Sequence, residues 1–270
     1  MALPAPSPAS TSIVTGASSG IGAEIARQLA ARGHGVTLVA RREGPLAELA
    51  TELASVHKVR AEVVAADLTD ADARANIATE LGERGLTASI LVNNAGLSTM
   101  GPVATSTPER EIAMIRTDVE AVAHLCSLFL PGMVDAGAGA ILNVASTAAF
   151  QPLPGQAGYG ASKAFVLSYS HAMRGELAGS GVTVTVLCPG PVETGFAEAA
   201  GISNEEAEGA LPKFMWVSAV DVARQAVDGL TSGKSVVIPG AANRASAATA
   251  YLTPRKLLVP ILAKMHPALK

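Results

Sequence analysis

Apolar or β-branched runs recur along this chain, with helix-patterned segments between them. The runs are T-S-I-V at 11–14, V-T-L-V-A at 36–40, the stretch ending at Asp67, S-I-L-V at 89–92, A-I-L-N-V-A at 140–145, V-T-V-T-V-L-C at 182–188 and S-V-V-I-P at 235–239. Strands that alternate with helices in this way predict one doubly wound parallel sheet of about seven strands. A length of 270 residues allows one large α/β domain or two small ones, and neither a repeat nor a linker divides the chain. The expected layout is a flexible arm at 1–10, a single domain at 11–240 and an extension at 241–270. With 49% hydrophobic and only 16% charged residues, a large buried core is feasible.

Between the first strand and the first helix lies T-G-A-S-S-G-I-G, residues 15–22. Gly16, Gly20 and Gly22 let the backbone turn tightly and approach a ligand closely. The turn presents free N–H groups and the positive end of a helix dipole, which suits a pyrophosphate. V-T-L-V-A then ends in Ala40, where a dinucleotide-binding βαβ unit would place an acid on the ribose 2′-OH. Arg41 and Arg42 follow at once, and arginine there favours a 2′-phosphate, so NADP(H) is expected over NAD(H). Asp67, at the third strand's end, either accepts from an adenine amino group or caps the next turn. Asn93, Asn94, Ala95 and Gly96 end the fourth strand, with two amides able to knit neighbouring strands beside the cofactor.

A long helix is expected from Pro108 to about Leu130, with Ile112, Ile115, Val119, Val122 and Leu125 on one face. Asp118 lies among these apolar neighbours, a costly place for an unpaired carboxylate. Ser146 follows the fifth strand. Tyr159 and Lys163 stand at i and i+4 in a helical segment, so a phenol and an ammonium share one face. A hydroxyl, a phenol and a lysine at a strand's carboxyl end make an acid/base site.

T-G-A-S-S-G-I-G, N-N-A-G, a Ser thirteen residues before Y-G-A-S-K, and P-G-P-V-E-T at 189–194 occur in this order. Together they resemble the short-chain dehydrogenase/reductase family, in its shorter single-domain branch, over about residues 11–240. The resemblance implies a Rossmann-type three-layer α/β/α sandwich and a homodimer or homotetramer formed through the long helices. It implies that Tyr159 protonates a carbonyl oxygen, that Lys163 lowers the phenol's pKa and holds the nicotinamide ribose, and that Ser146 hydrogen-bonds the substrate oxygen. Gly16, Ser18, Ile21, Arg41, Asp67, Asn94, Val192 and Thr194 match cofactor-contacting positions, with Val192 and Thr194 against the nicotinamide. Their neighbours Ser19, Gly20, Gly22, Arg42, Leu68, Ala95, Gly96, Pro189 and Gly190 complete the implied cofactor cradle. The family usually has Asn in the long helix where this chain has Asp118. Asp118 either holds the water that the Asn would hold, or sits against Lys163 as a counter-ion, or is a replacement without consequence.

The expected pocket segments, 147–156 and a lid at 195–216, supply Phe150, Leu153, Phe196, Leu211, Phe214, Met215 and Trp216. No arginine cluster there awaits a phosphate or carboxylate, so the expected substrate is an apolar ketone, aldehyde or secondary alcohol. Residues 251–270 mix apolar runs with Arg255, Lys256, Lys264 and Lys270. They are expected to pack on a sister subunit or lie on an anionic membrane surface, broken into short pieces by Pro254, Pro260 and Pro267. Aromatics at 3% and a net charge of -3 argue against nucleic acid. Cys126 and Cys188 give neither a disulfide framework nor zinc spacing. MALPAPSPAS lacks the features of a secretory signal, and no run reaches the roughly 18 apolar residues of a spanning helix, so a soluble cytoplasmic protein is expected.

Overall fold

The computed structural model describes residues 3–194, 212–265 and 269. Seven parallel strands form one sheet in the order β3-β2-β1-β4-β5-β6-β7. The strands are β1 (Ser10–Thr15), β2 (Val36–Ala40), β3 (Ala61–Ala65), β4 (Thr87–Asn93), β5 (Gly139–Val144), β6 (Val182–Leu187) and β7 (Val236–Val237). Both faces are covered. Helices α1 (Gly20–Ala30) and α2 (Glu43–His57) share one face with α7 (Ala219–Thr231), through Ile25, Leu29, Leu46, Leu53, Val222 and Val227. Helices α3 (Ala71–Glu83), α5 (Ala121–Asp135) and α6 (Ala157–Glu176) pack on the other, through Ile77, Leu125, Phe129, Val166 and Met173. The apolar runs at β1, β2, β4, β5 and β6 are thus central strands that bury side chains on both faces, and β3 and β7 are the edges. The strand order reverses between β1 and β4, the switch point at which open α/β sheets form a crevice outside the strands' carboxyl ends.

The long helix departs from its expected form. Helix α4 (Pro108–Ile115) passes into α5 through a π turn at Arg116–Glu120. One added residue rotates the following side chains by about a third of a turn. Val122 and Leu125 keep the buried face, but Ile112 and Ile115 are 48% and 41% exposed. Met114, Thr117 and Asp118 take the inward places instead. The helix also runs through Pro131 to Asp135 rather than ending near Leu130.

At the start of the chain, Leu3 packs against the core, and the Ala9 carbonyl accepts from the Thr87 amide at 2.9 Å. At the other end, α8 (Ala241–Leu252) and α9 (Arg255–Met265) follow β7. Pro260 lies within α9 and does not break it. Proline forfeits one helical hydrogen bond, to the carbonyl four residues back. That residue, Lys256, is exposed, a place where water can supply the lost donor.

Candidate active site

The glycine turn follows β1 and opens α1. Gly16 and Gly20 have φ of 65° and 57°, the left-handed region that side chains avoid. A Cβ on Gly22 would lie 2.4 Å from both the Gly16 carbonyl oxygen and Asn94 Nδ2, and one on Gly20 would touch Thr194 Cγ2 at 3.2 Å. The turn is therefore pressed between β4 and the 189–194 segment. Ser19 stands at the N-cap of α1 without a side-chain cap bond, so the first-turn N–H groups of Gly20, Ile21 and Gly22 face outward for an anion. Arg42 Nη2 donates to Ser18 Oγ at 3.2 Å, which brings one of the two arginines onto this loop. Arg41 lies near enough to Asp67 to stabilise its charge.

Asp67 takes the capping geometry. Its Oδ1 accepts from the Thr69 amide and the Thr69 hydroxyl, both at 2.9 Å. The backbone bond above all holds the carboxyl below its ordinary range. The helix cap proper is Asp70, which accepts from the Asp72 amide at 2.8 Å.

The two asparagines do different work. Asn93 Nδ2 donates to Asn143 Oδ1 at 2.9 Å and ties β4 to β5. Asn94 Nδ2 donates to the Thr15 carbonyl at 2.9 Å, and the Thr15 hydroxyl accepts from the amides of Asn94 and Ala95. Thr15 thus joins β1 to β4 under the crevice. It begins the glycine motif, yet only the sheet register makes it a clamp.

Ser146, Tyr159 and Lys163 come together at the end of β5. Ser146 Oγ accepts from the Ala148 amide at 3.1 Å and hydrogen-bonds the Tyr159 phenol. Lys163 Nζ lies 5.6 Å from the centre of the Tyr159 ring and donates to the Val144 carbonyl at 3.3 Å. Asp118 joins them from the π turn. Its Oδ2 is 2.9 Å from Lys163 Nζ and its Oδ1 accepts from the Leu97 amide at 2.7 Å. Asp118 is wholly buried and Lys163 nearly so. A Cβ on Gly96 would stand 3.2 Å from Nζ and 3.3 Å from Oδ2, so glycine makes room for this pair. Of the readings open for Asp118, the geometry displays the counter-ion.

The electrostatics follow from burial. Burial pushes the Tyr159 phenol above its ordinary value, against the Lys163 charge and the Ser146 hydroxyl, and the Asp118 charge pushes the same way as burial. The expected lowering by Lys163 is present but outweighed. Burial also works against the Lys163 ammonium, but Asp118 and then Tyr159 overcome it and hold the charge above its usual range. Burial raises the Asp118 carboxyl, while Lys163 and the Leu97 amide pull it down. With two donors within 3 Å of its oxygens, we take the pair as ionised.

The 189–194 segment closes the far side. The Pro189 carbonyl accepts from the Thr147 amide at 2.8 Å, and Val192 bridges Val217. Gly190 is indispensable in size, since a Cβ there would meet the Asn243 amide at 2.4 Å. Asn243, on α8, is wholly buried and donates from Nδ2 to the carbonyls of Met215 and Pro239, each at 2.9 Å. It fastens α8 to the wall of the site. Reading the sequence passed it over, because nothing near residue 243 repeats a site pattern. Arg74 was equally hidden. Its guanidinium, 1% exposed, donates to the Leu68 carbonyl at 2.7 Å, to His124 Nδ1 at 3.1 Å and to Glu120. It links the strand end that carries Asp67 and Leu68 to the π turn. Phe150 and Leu153 are half-buried on the stretch that follows Ser146, whereas Phe214 is 76% exposed. Phe196, Leu211 and most of the expected lid lie outside the described residues. Among the described residues no cluster of three metal-ligating side chains occurs.

A glycine turn at a helix N-terminus thus lies at the switch point of the sheet, beside a buried lysine and a phenol. The short chain dehydrogenase family model matches residues 10–205. Sulfoacetaldehyde reductase 2 of Chromohalobacter salexigens is 39% identical over 186 residues, 68% of this chain and 73% of that protein. A short-chain dehydrogenase from Sphingobium yanoikuyae, solved in complex with NADPH, superposes with a TM-score of 0.79 at 34% identity, over 93% of this chain and 95% of that one. A family member from Burkholderia phymatum, solved in complex with NAD, superposes with a TM-score of 0.78 at 25% identity, over 88% and 92%. The chain belongs to the short-chain dehydrogenase/reductase family. It is an oxidoreductase with a Rossmann-type dinucleotide-binding sheet, acting between carbonyl and CH–OH groups.

Proposed function

We propose that this protein is an NADPH-dependent reductase of apolar ketones or aldehydes, with Ser146, Tyr159 and Lys163 as its catalytic set. The observation that carries the proposal is the meeting of these three groups at the end of β5, beside the glycine turn. When bound, the nicotinamide supplies the hydride to the carbonyl carbon. The Ser146 hydroxyl holds the carbonyl oxygen, and Tyr159 gives that oxygen its phenol proton as negative charge develops there. Lys163 stabilises the phenolate left behind. A phenol held above its ordinary pKa by burial stays protonated at neutral pH and so carries the proton it is to donate. Asp118 keeps Lys163 charged and in place, and tempers its pull on the phenol.

The arginine pair supports NADPH. Arg42 already reaches Ser18 on the loop, and no acid stands at Ala40 to receive a ribose hydroxyl. Gly16, Ser19, Ile21, Asp67, Leu68, Ala95, Val192 and Thr194 line the route along which the dinucleotide would lie. Phe150 and Leu153 support an apolar substrate. Residues 11–240 would be the catalytic domain. Ile112, Ile115 and Phe165, exposed on α4 and α6, suit burial in a homo-oligomer. Among the described residues no helix is long and apolar enough to cross a membrane.

The test is oxidation of NADPH and NADH with a panel of apolar ketones and aldehydes, and Tyr159→Phe as control. Turnover that prefers NADPH and is lost in the variant supports the reading. Turnover of small charged acids alone would overturn the substrate class, and equal use of both cofactors would overturn the arginine argument.

A further inference from the structure

Charge is unevenly spread along this chain. Residues 241–270 hold five Lys and Arg and no Asp or Glu, leaving the first 240 residues with 15 basic against 23 acidic side chains. The segment is also where large apolar side chains face water. On α9, Lys256, Leu257, Pro260, Ile261 and Lys264 share one side by helical spacing, and all five are exposed. Leu258, Val259, Leu262 and Ala263 face the other way and are only half covered. At the α8–α9 corner Tyr251 and Leu252 are 69% and 79% exposed.

This surface is anchored beside the active site. Arg255 Nη1 donates to the Phe150 carbonyl at 3.3 Å, on the turn that follows Ser146. Asn243 ties the start of α8 to Met215, next to the exposed Phe214.

We propose that α9 and the α8–α9 corner form a docking surface for an anionic lipid bilayer. A short helix with apolar side chains outward and lysines beside them enters the headgroup boundary, with its cations against anionic headgroups. Charge complementarity selects this occupant. A second copy seated on the same patch through a two-fold axis would set lysine against lysine, with no acid in the segment to relieve them. The contact lies along the surface, since no described helix is long and apolar enough to span. The proposal stands apart from the catalytic reading. If both hold, the turn carrying Phe150 opens beside lipid, and an apolar substrate reaches it without crossing water.

The experiment is sedimentation of the full chain with vesicles of phosphatidylcholine alone, or mixed with phosphatidylglycerol, at low and high salt. Binding to the mixed vesicles, weakening as salt rises, is expected. Each lysine at an anionic surface strengthens partition by a factor of about five. Lys256→Glu with Lys264→Glu should therefore weaken it by more than about twentyfold. Leu257→Ser with Ile261→Ser should weaken it by at least about tenfold through lost apolar burial. Circular dichroism and the thermal midpoint should stay unchanged in both variants, since the four side chains face outward. Equal binding to neutral vesicles would overturn the proposal, as would no binding to anionic vesicles at low salt. It would also be overturned if the parent ignored vesicles while Leu257→Ser with Ile261→Ser changed the oligomer mass by light scattering, which would assign the patch to a sister subunit.

Discussion

Asp118→Asn removes one negative charge from beside Lys163 and changes almost no volume. Asn keeps an oxygen for the Leu97 amide, so the local backbone retains its 2.7 Å bond. The carboxylate lies 2.9 Å from Nζ, and Nζ lies 5.6 Å from the Tyr159 ring centre. A carboxylate–phenolate separation of roughly 8 Å, at an effective dielectric constant near 20, amounts to about 2 kcal/mol of repulsion. Its removal favours the phenolate by about thirtyfold at fixed pH. The phenol therefore titrates at lower pH in the variant. Since carbonyl reduction needs the phenol protonated, the basic limb of the kcat/KM profile should move to lower pH. The assay is that profile for wild type and Asp118→Asn with one apolar ketone, with dichroism to confirm folding. A basic limb that moves up would refute the counter-ion reasoning, and one that stays in place would refute it and leave Asp118 as a replacement without consequence.

Gly22→Ala places a methyl 2.4 Å from a backbone oxygen and from Asn94; overpacking should cost about 1–3 kcal/mol in urea denaturation, and NADPH affinity by fluorescence titration should fall. Arg42→Ala should raise KM for NADPH about tenfold, the value of one charge-assisted contact, and leave NADH unchanged; equal effects on both cofactors would sink the 2′-phosphate argument. Asn243→Ala strands the carbonyls of Met215 and Pro239 and should lower stability by about 2–3 kcal/mol; an unchanged urea midpoint would show that α8 does not depend on this amide.

Much of the fold was legible because the signals that set it are local. Apolar runs of five or six residues, helical periodicity and glycine punctuation depend on neighbours in the chain, and β2 falls at 36–40 as read. The i, i+4 pair of Tyr159 and Lys163 was visible for the same reason, since one helix turn suffices to bring them together. The glycine turn was readable between its strand and helix. The left-handed φ at Gly16 and Gly20 is a backbone demand that only glycine meets cheaply.

What the sequence determined by itself was the α/β class, the glycine turn and the phenol–lysine face. Tertiary structure decided the rest. Asp118 reaches Lys163 across 45 positions, and only the π turn rotates it inward. No local pattern announces that turn, because an added residue in a helix leaves the composition on either side ordinary. Arg74 and Asn243 became structural ties because helices from distant parts of the chain bring carbonyls to them. Tyr159 shows the division most plainly. Its neighbour Lys163 was evident from spacing, but the direction of its pKa came from burial, which the whole fold sets and no short stretch of sequence records.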